Sequence, residues 1–147
     1  MRGRLFLFAA VAISVAIVAV MPAVASPTSP ATQSSWAVQA NKVCVVWLAK
    51  AKKAFGSPVT PAQLYSFAVK AKKLETAELA GLEQIPGEAA TGKAALTAMK
   101  VDIAEVGSSI TAWNQGNAAL FVQILKRYLN DGRAKSAFAV AGANQCG

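Results

Sequence analysis

The chain has 147 residues, a net charge of +8 at pH 7 and no histidine. The lack of histidine excludes ordinary Ser-His-Asp and Cys-His catalytic sites as well as metal centres with imidazole ligands. The length suits one domain with a real core, since two ordinary domains would need a longer chain.

The first 25 residues have the three-part pattern of a secretory signal peptide. Arg2 and Arg4 precede an apolar run from Leu5 to Val20 in which Ser14 is the one polar residue, and Ala23-Val24-Ala25 forms a small-residue cleavage site. An uncleaved membrane anchor is the alternative, because the apolar stretch approaches the ~20 residues needed to span a bilayer. The polar residues directly behind the cleavage site favour removal. We therefore expect cleavage near Ala25-Ser26 and a secreted or cell-envelope-associated protein.

Residues 26–34 contain Pro, Ser and Thr without apolar periodicity, which predicts a flexible leader. Residues 35–147 show helical periodicity almost throughout and no strand-like alternation, which predicts a single helical-bundle domain. The first helix is expected from about Ser35 to Phe55, before the stop signal Gly56-Ser57-Pro58.

The second predicted helix begins with a strong start signal. Thr60 is placed as N-cap, Pro61 stands at the first helical position, and Gln63 completes a capping box. Pro86-Gly87 ends this helix. A third helix is expected from about Glu88 to Gln115, closed by Gly116.

Asn117 is the predicted cap of the fourth helix. The turn signal Asn130-Asp131-Gly132 leaves two alternatives for the end of the chain. Residues 117–141 form either one kinked helix or a fourth helix followed by a short fifth one, Arg133 to Ala141.

Long helices with short connections predict an all-α fold, an antiparallel up-down bundle of four to five helices. The chain has two cysteines, Cys44 and Cys146, and an even count in an exported protein predicts a disulfide. In an up-down bundle the end of the last helix lies near the start of the first. The disulfide and the topology therefore support each other.

Catalytic and cofactor motifs are missing from the sequence. It contains no G-x-S-x-G, no P-loop, no G-x-G-x-x-G and no C-x-x-C, so we predict neither enzyme activity nor a cofactor or metal site. Glu75 and Glu78 are candidate buried carboxylates, because they fall at i and i+3 within the apolar stripe of the second helix. We expect them at a helix boundary, ion-paired with Lys72, Lys93 or Lys100. A catalytic or metal-binding role is the less favoured alternative.

The positive charge is concentrated in the first two helices. No Asp or Glu occurs between residues 26 and 74. Seven lysines do occur there: Lys42, Lys50, Lys52, Lys53, Lys70, Lys72 and Lys73. They include the tetrapeptide KAKK twice, but at 100° per residue the lysines of each copy spread around the helix instead of clustering. Two interpretations of these lysines are open. They form a solvated basic face without a partner, or they contact an anionic surface, which the uneven charge distribution also fits.

We therefore expect a secreted helical module that contacts anionic cell-envelope polymer or lipid through its lysine-rich face. The alternative is a carrier or sensor that holds a small apolar ligand between helices, although the many inward-facing alanines weigh against a large cavity. Nucleic acid is not expected as a partner, since lysines without interleaved exposed aromatic residues offer no base recognition. The sequence favours no particular oligomeric state.

Overall fold

The computed structural model describes residues 34–58 and 60–146, and every regular element in these ranges is an α-helix. The helices are α1 Ser35–Ala54, α2 Pro61–Glu83, α3 Ala90–Asn114, α4 Ala118–Asp131 and α5 Arg133–Val140. The predicted signal peptide and all but the last residue of the predicted leader lie outside the described residues. None of the described helices combines the length and the apolar content that crossing a membrane requires.

Capping side chains and a glycine define several of the helix ends. The hydroxyl of Thr60 accepts a hydrogen bond from the backbone N–H of Gln63, whose side chain accepts one from the N–H of Thr60, so the predicted capping box is confirmed. Asn117 caps α4 by accepting a hydrogen bond from the N–H of Leu120. Gly132 adopts a left-handed backbone conformation with φ of 59°, which ends α4 and starts α5. The chain therefore forms two helices at its end, not one.

Helix α3 is the centre of the bundle and packs against α2, α4 and α5, whereas α1 packs mainly against α2. Side chains from α1, α2, α3 and α5 form one part of the core, around Trp36, Leu82, Met99 and Phe138. A second part lies around Phe121 and is formed by α2, α3 and α4. The all-α bundle predicted from the sequence is thus confirmed.

A disulfide joins Cys44 in the middle of α1 to Cys146 behind α5, with the two Cα atoms 5.0 Å apart. Both cysteines are buried. Asn41 reinforces the junction, because its side chain accepts a hydrogen bond of 2.8 Å from the N–H of Gln145 and donates one of 3.4 Å to the carbonyl of Gly142. The C-terminal segment therefore returns to α1, as the sequence predicted.

Candidate ligand-binding site

A cavity of about 370 Å³ lies between the helices, with lining residues from all five of them. Cys44, which the disulfide joins to the C-terminal segment, lines it from α1. Its apolar wall is formed by Trp47, Phe55, Leu74, Met99, Leu129 and Phe138. Exposed residues such as Leu48 and Lys135 also line it, so the cavity communicates with solvent.

One part of the cavity wall is acidic. Glu75 and Glu78 reach it from α2, Asp102 from α3 and Tyr128 from α4. The hydroxyl of Tyr128 donates a hydrogen bond to Oε1 of Glu75, while Oε2 of Glu75 is buried without a hydrogen-bond partner. The cavity thus combines an apolar wall with a small group of carboxyl oxygens.

The two glutamates do not form the ion pairs expected from the sequence. Among the described residues, neither Glu75 nor Glu78 has a lysine or arginine nitrogen within salt-bridge distance. Lys100 instead pairs with Glu83 at 2.7 Å, five residues beyond Glu78. The end of the Lys72 side chain turns to α3 and packs against Gly107.

Burial is the main influence on the protonation of this acidic group. Burial raises the pKa of Glu78 to about 7, and the charge of Glu75 acts in the same direction. Burial also raises the pKa of Glu75, although the hydrogen bond from Tyr128 opposes this shift. The pKa of the Tyr128 phenol is likewise raised, chiefly by burial and then by the neighbouring Glu75. The phenol therefore stays protonated and acts as a hydrogen-bond donor.

Asp102 connects the cavity to a network of ion pairs at the junction of α3, α4 and α5. Its Oδ2 accepts a hydrogen bond of 3.2 Å from the N–H of Ala134, and its Oδ1 lies 3.4 Å from Nη1 of Arg133. Burial raises the pKa of Asp102, whereas the Ala134 N–H and the Arg133 charge oppose this shift.

Carboxylate oxygens of Asp102, Glu105 and Asp131 lie within 4.8 Å of one another, a spacing that a metal ion could bridge. Arg133 pairs with all three, and Arg127 also pairs with Glu105. Arginine therefore supplies the positive charge that a cation would bring, and we interpret the group as a structural ion network.

All seven lysines of the basic region are exposed, and none of them forms a salt bridge within the described part of the chain. They do not converge on one point. Lys70 lies beside the α1–α2 connection with Gly56 and Phe67, whereas Lys72 lies on the α3 side of α2. Lys50 stacks over the ring of Trp47 at 3.7 Å from its centroid, so its charge is partly engaged within α1.

The outward face of α1 mixes lysines with exposed valines. Val38, Val45 and Val46 are 41%, 49% and 53% exposed, and they share this face with three lysines. These lysines are Lys42, Lys52 and Lys53. The face therefore offers both positive charge and apolar surface.

Tyr128 and Asp102 are cavity residues that the sequence analysis did not assign to a site. The signal for Asp102 was present, since it falls three residues after Met99 and four before Val106, on the apolar stripe of α3. For Tyr128 the sequence carries no comparable signal, because a tyrosine on an apolar stripe is typical of a core.

No known protein family, curated protein or solved structure with which the chain was compared matches it. Its function must therefore be inferred from the site itself.

Proposed function

We propose that this protein binds a small, largely apolar molecule in the cavity between its helices and acts as a carrier or sensor outside the cytoplasm. The cavity is the observation that carries this proposal. Its volume of about 370 Å³ falls in the range of ~300–1,000 Å³ typical of ligand pockets, and its apolar wall with a few polar groups has their usual composition.

The cavity wall offers a ligand mainly apolar contacts and a few hydrogen-bonding groups. The described polar groups are carboxyls, a phenol, a lysine and an amide. The disulfide supports a location in an oxidising compartment, in agreement with the signal-peptide pattern of the first 25 residues.

Fluorescence of the neutral apolar dye N-phenyl-1-naphthylamine tests this proposal. Ala51 lines the cavity from α1, and Ala51→Phe fills part of it, whereas Ala49→Phe places the same ring on the exposed outer face of that helix. We expect saturable enhancement at one site per chain in the wild type and in Ala49→Phe, and strongly weakened binding in Ala51→Phe. Circular dichroism confirms that each variant is folded.

Two results would contradict the proposal. One is the absence of saturable binding by the folded wild type. The other is equal affinity of the dye for the wild type and for folded Ala51→Phe, which would place the dye outside the cavity.

The outward face of α1 supports a second function, contact with an anionic lipid surface. Lysines attract anionic headgroups, each contributing on the order of 1 kcal/mol near a charged membrane, and exposed valines favour an apolar boundary over bulk water. This function is compatible with ligand transport, because the face points away from the core residues Ala37, Ala40 and Cys44.

Vesicle co-sedimentation tests the second function, with phosphatidylglycerol mixed into phosphatidylcholine and with phosphatidylcholine alone. Neutralising Lys42, Lys52 and Lys53 on α1 to Gln should abolish salt-sensitive retention on the anionic vesicles. The matched control neutralises Lys70, Lys72 and Lys73 on α2, which removes equal charge from a different helix. Equal losses in both triple variants would show that net charge acts without any contribution from the α1 face.

A further inference from the structure

The acidic part of the cavity lacks a cationic partner within the described protein. The described ion pairs occupy Glu83, Glu105, Asp102 and Asp131, and they leave Glu75 and Glu78 without one. Tyr128 satisfies one oxygen of Glu75, and Oε2 remains buried without a partner. A buried polar oxygen without a partner is costly, since nearly all such groups in folded proteins are hydrogen-bonded.

The positive groups nearest the cavity are engaged elsewhere or stand at its edge. Arg133 belongs to the network with Asp102, Glu105 and Asp131. Lys135 lines the cavity from α5 but is exposed and forms no salt bridge with a described carboxylate. Within the described residues, no lysine or arginine therefore supplies the positive charge that would complement the two glutamates.

We propose that the ligand of this cavity is an amphiphilic amine, whose ammonium group is held by Glu75 and Glu78 while its apolar body lies against Trp47, Leu74 and Met99. This inference rests on the proposed function of the cavity as a ligand pocket. An ammonium donates up to three hydrogen bonds and carries a single charge, which matches the buried oxygen of Glu75 and the adjacent carboxyl of Glu78.

Binding of such an amine depends on pH in a predictable direction. Because the pKa of Glu78 is about 7, its carboxyl is protonated at lower pH, and an ammonium group that binds there must displace this proton. Five ionisable groups face the site from the surrounding helices. They are Glu75 and Glu78 on α2, Asp102 on α3, Tyr128 on α4 and Lys135 on α5, while α1 contributes only Lys50 above Trp47. Affinity for an amine should therefore rise by about tenfold between pH 6 and pH 8 as Glu78 ionises.

Three probes with the same apolar chain separate the contribution of charge from that of hydrophobicity. Isothermal titration calorimetry with octylamine, octanol and octanoate presents the cavity with a positive, a neutral and a negative headgroup. We expect octylamine to bind most tightly, octanol more weakly and octanoate least. Only the affinity for octylamine should rise from pH 6 to pH 8, and its binding at pH 7 should release protons.

Variants then assign the effect to the two glutamates. Glu75→Gln combined with Glu78→Gln should weaken octylamine binding by at least about tenfold and leave octanol binding unchanged. Glu88→Gln is the matched control, because it removes one carboxylate that neither lines the cavity nor takes part in a described ion pair.

The outcomes distinguish this inference from the proposed function. If octanol binds as tightly as octylamine, or if the double variant binds octylamine as the wild type does, the amine inference is overturned and the cavity remains a site for apolar molecules. If none of the probes binds, and the naphthylamine dye does not bind either, both the inference and the proposed function are overturned.

Discussion

The stability of this protein should fall as the pH rises from about 5 to 8, and Glu78 should account for much of that fall. The pKa of Glu78 is about 7 in the folded protein, against an ordinary value of 4.5. Between these values the folded state binds more protons than the unfolded chain does. The stabilising contribution of Glu78 is therefore complete below pH 4.5 and is lost as the pH rises through 7.

The magnitude follows from the difference between the two pKa values. At about 1.4 kcal/mol per pKa unit, the change from 4.5 to about 7 corresponds to an upper limit of roughly 3.5 kcal/mol. Glu78 is only half-buried, so solvent screening reduces the expected effect to about 1 to 2 kcal/mol.

Urea denaturation followed by tryptophan fluorescence at pH 5 and pH 8 measures this effect. Glu78→Gln keeps the shape of the side chain and removes the titration. At pH 5 the variant should match the wild type, and at pH 8 its free energy of unfolding should be higher by about 1 to 2 kcal/mol. A slope of the same sign should persist in the variant, because burial raises the pKa of Glu75 and of Asp102 too.

Comparison between variants isolates the Glu78 contribution from the other titrating groups. Glu88→Gln removes a carboxylate away from the cavity and is the control for the loss of one negative charge. The reasoning is refuted if the gain in the free energy of unfolding from Glu78→Gln is the same at pH 5 and pH 8. It is also refuted if this gain is smaller at pH 8 than at pH 5.

Four further variants test the disulfide, the helix packing and the ion network. Replacing Cys44 and Cys146 together by Ala should lower the free energy of unfolding in urea by about 4 kcal/mol, since the bridge spans 102 positions of sequence; an unchanged midpoint would contradict this. Gly92→Ala should lower the melting temperature, because its methyl group would lie 3.3 Å from a buried tryptophan ring of α1. In Gly107→Ala the added methyl group contacts only the flexible end of a lysine, so this variant should be more stable by about 0.5–1 kcal/mol. A Gly107→Ala protein that melts below Gly92→Ala would refute this account of the packing. Arg133→Met should destabilise the fold by about 1 to 3 kcal/mol in urea, because three carboxylates lose their common cation; no loss would show that the network is dispensable.

Local sequence signals were sufficient to predict the helices, most of their boundaries and the disulfide. Thr60, Pro61 and Gln63 act within a single turn, so their effect on the start of α2 needs no tertiary contact. Gly132 likewise separates α4 from α5 through its own backbone conformation. With only two cysteines in the chain, the pairing of the disulfide could be predicted without the fold.

The cavity and its chemistry were decided by the tertiary structure alone. Glu75 and Tyr128 are 53 positions apart, and helical periodicity can place each on an inward face without showing that these faces meet. The sequence suggested that Glu75 and Glu78 form ion pairs at a helix boundary, but Lys72 turns toward α3 and Lys100 pairs with Glu83. Which of these side chains pair with each other depends on the relative rotation and spacing of whole helices. The predictable bundle therefore holds two glutamates that form no salt bridge within the described residues.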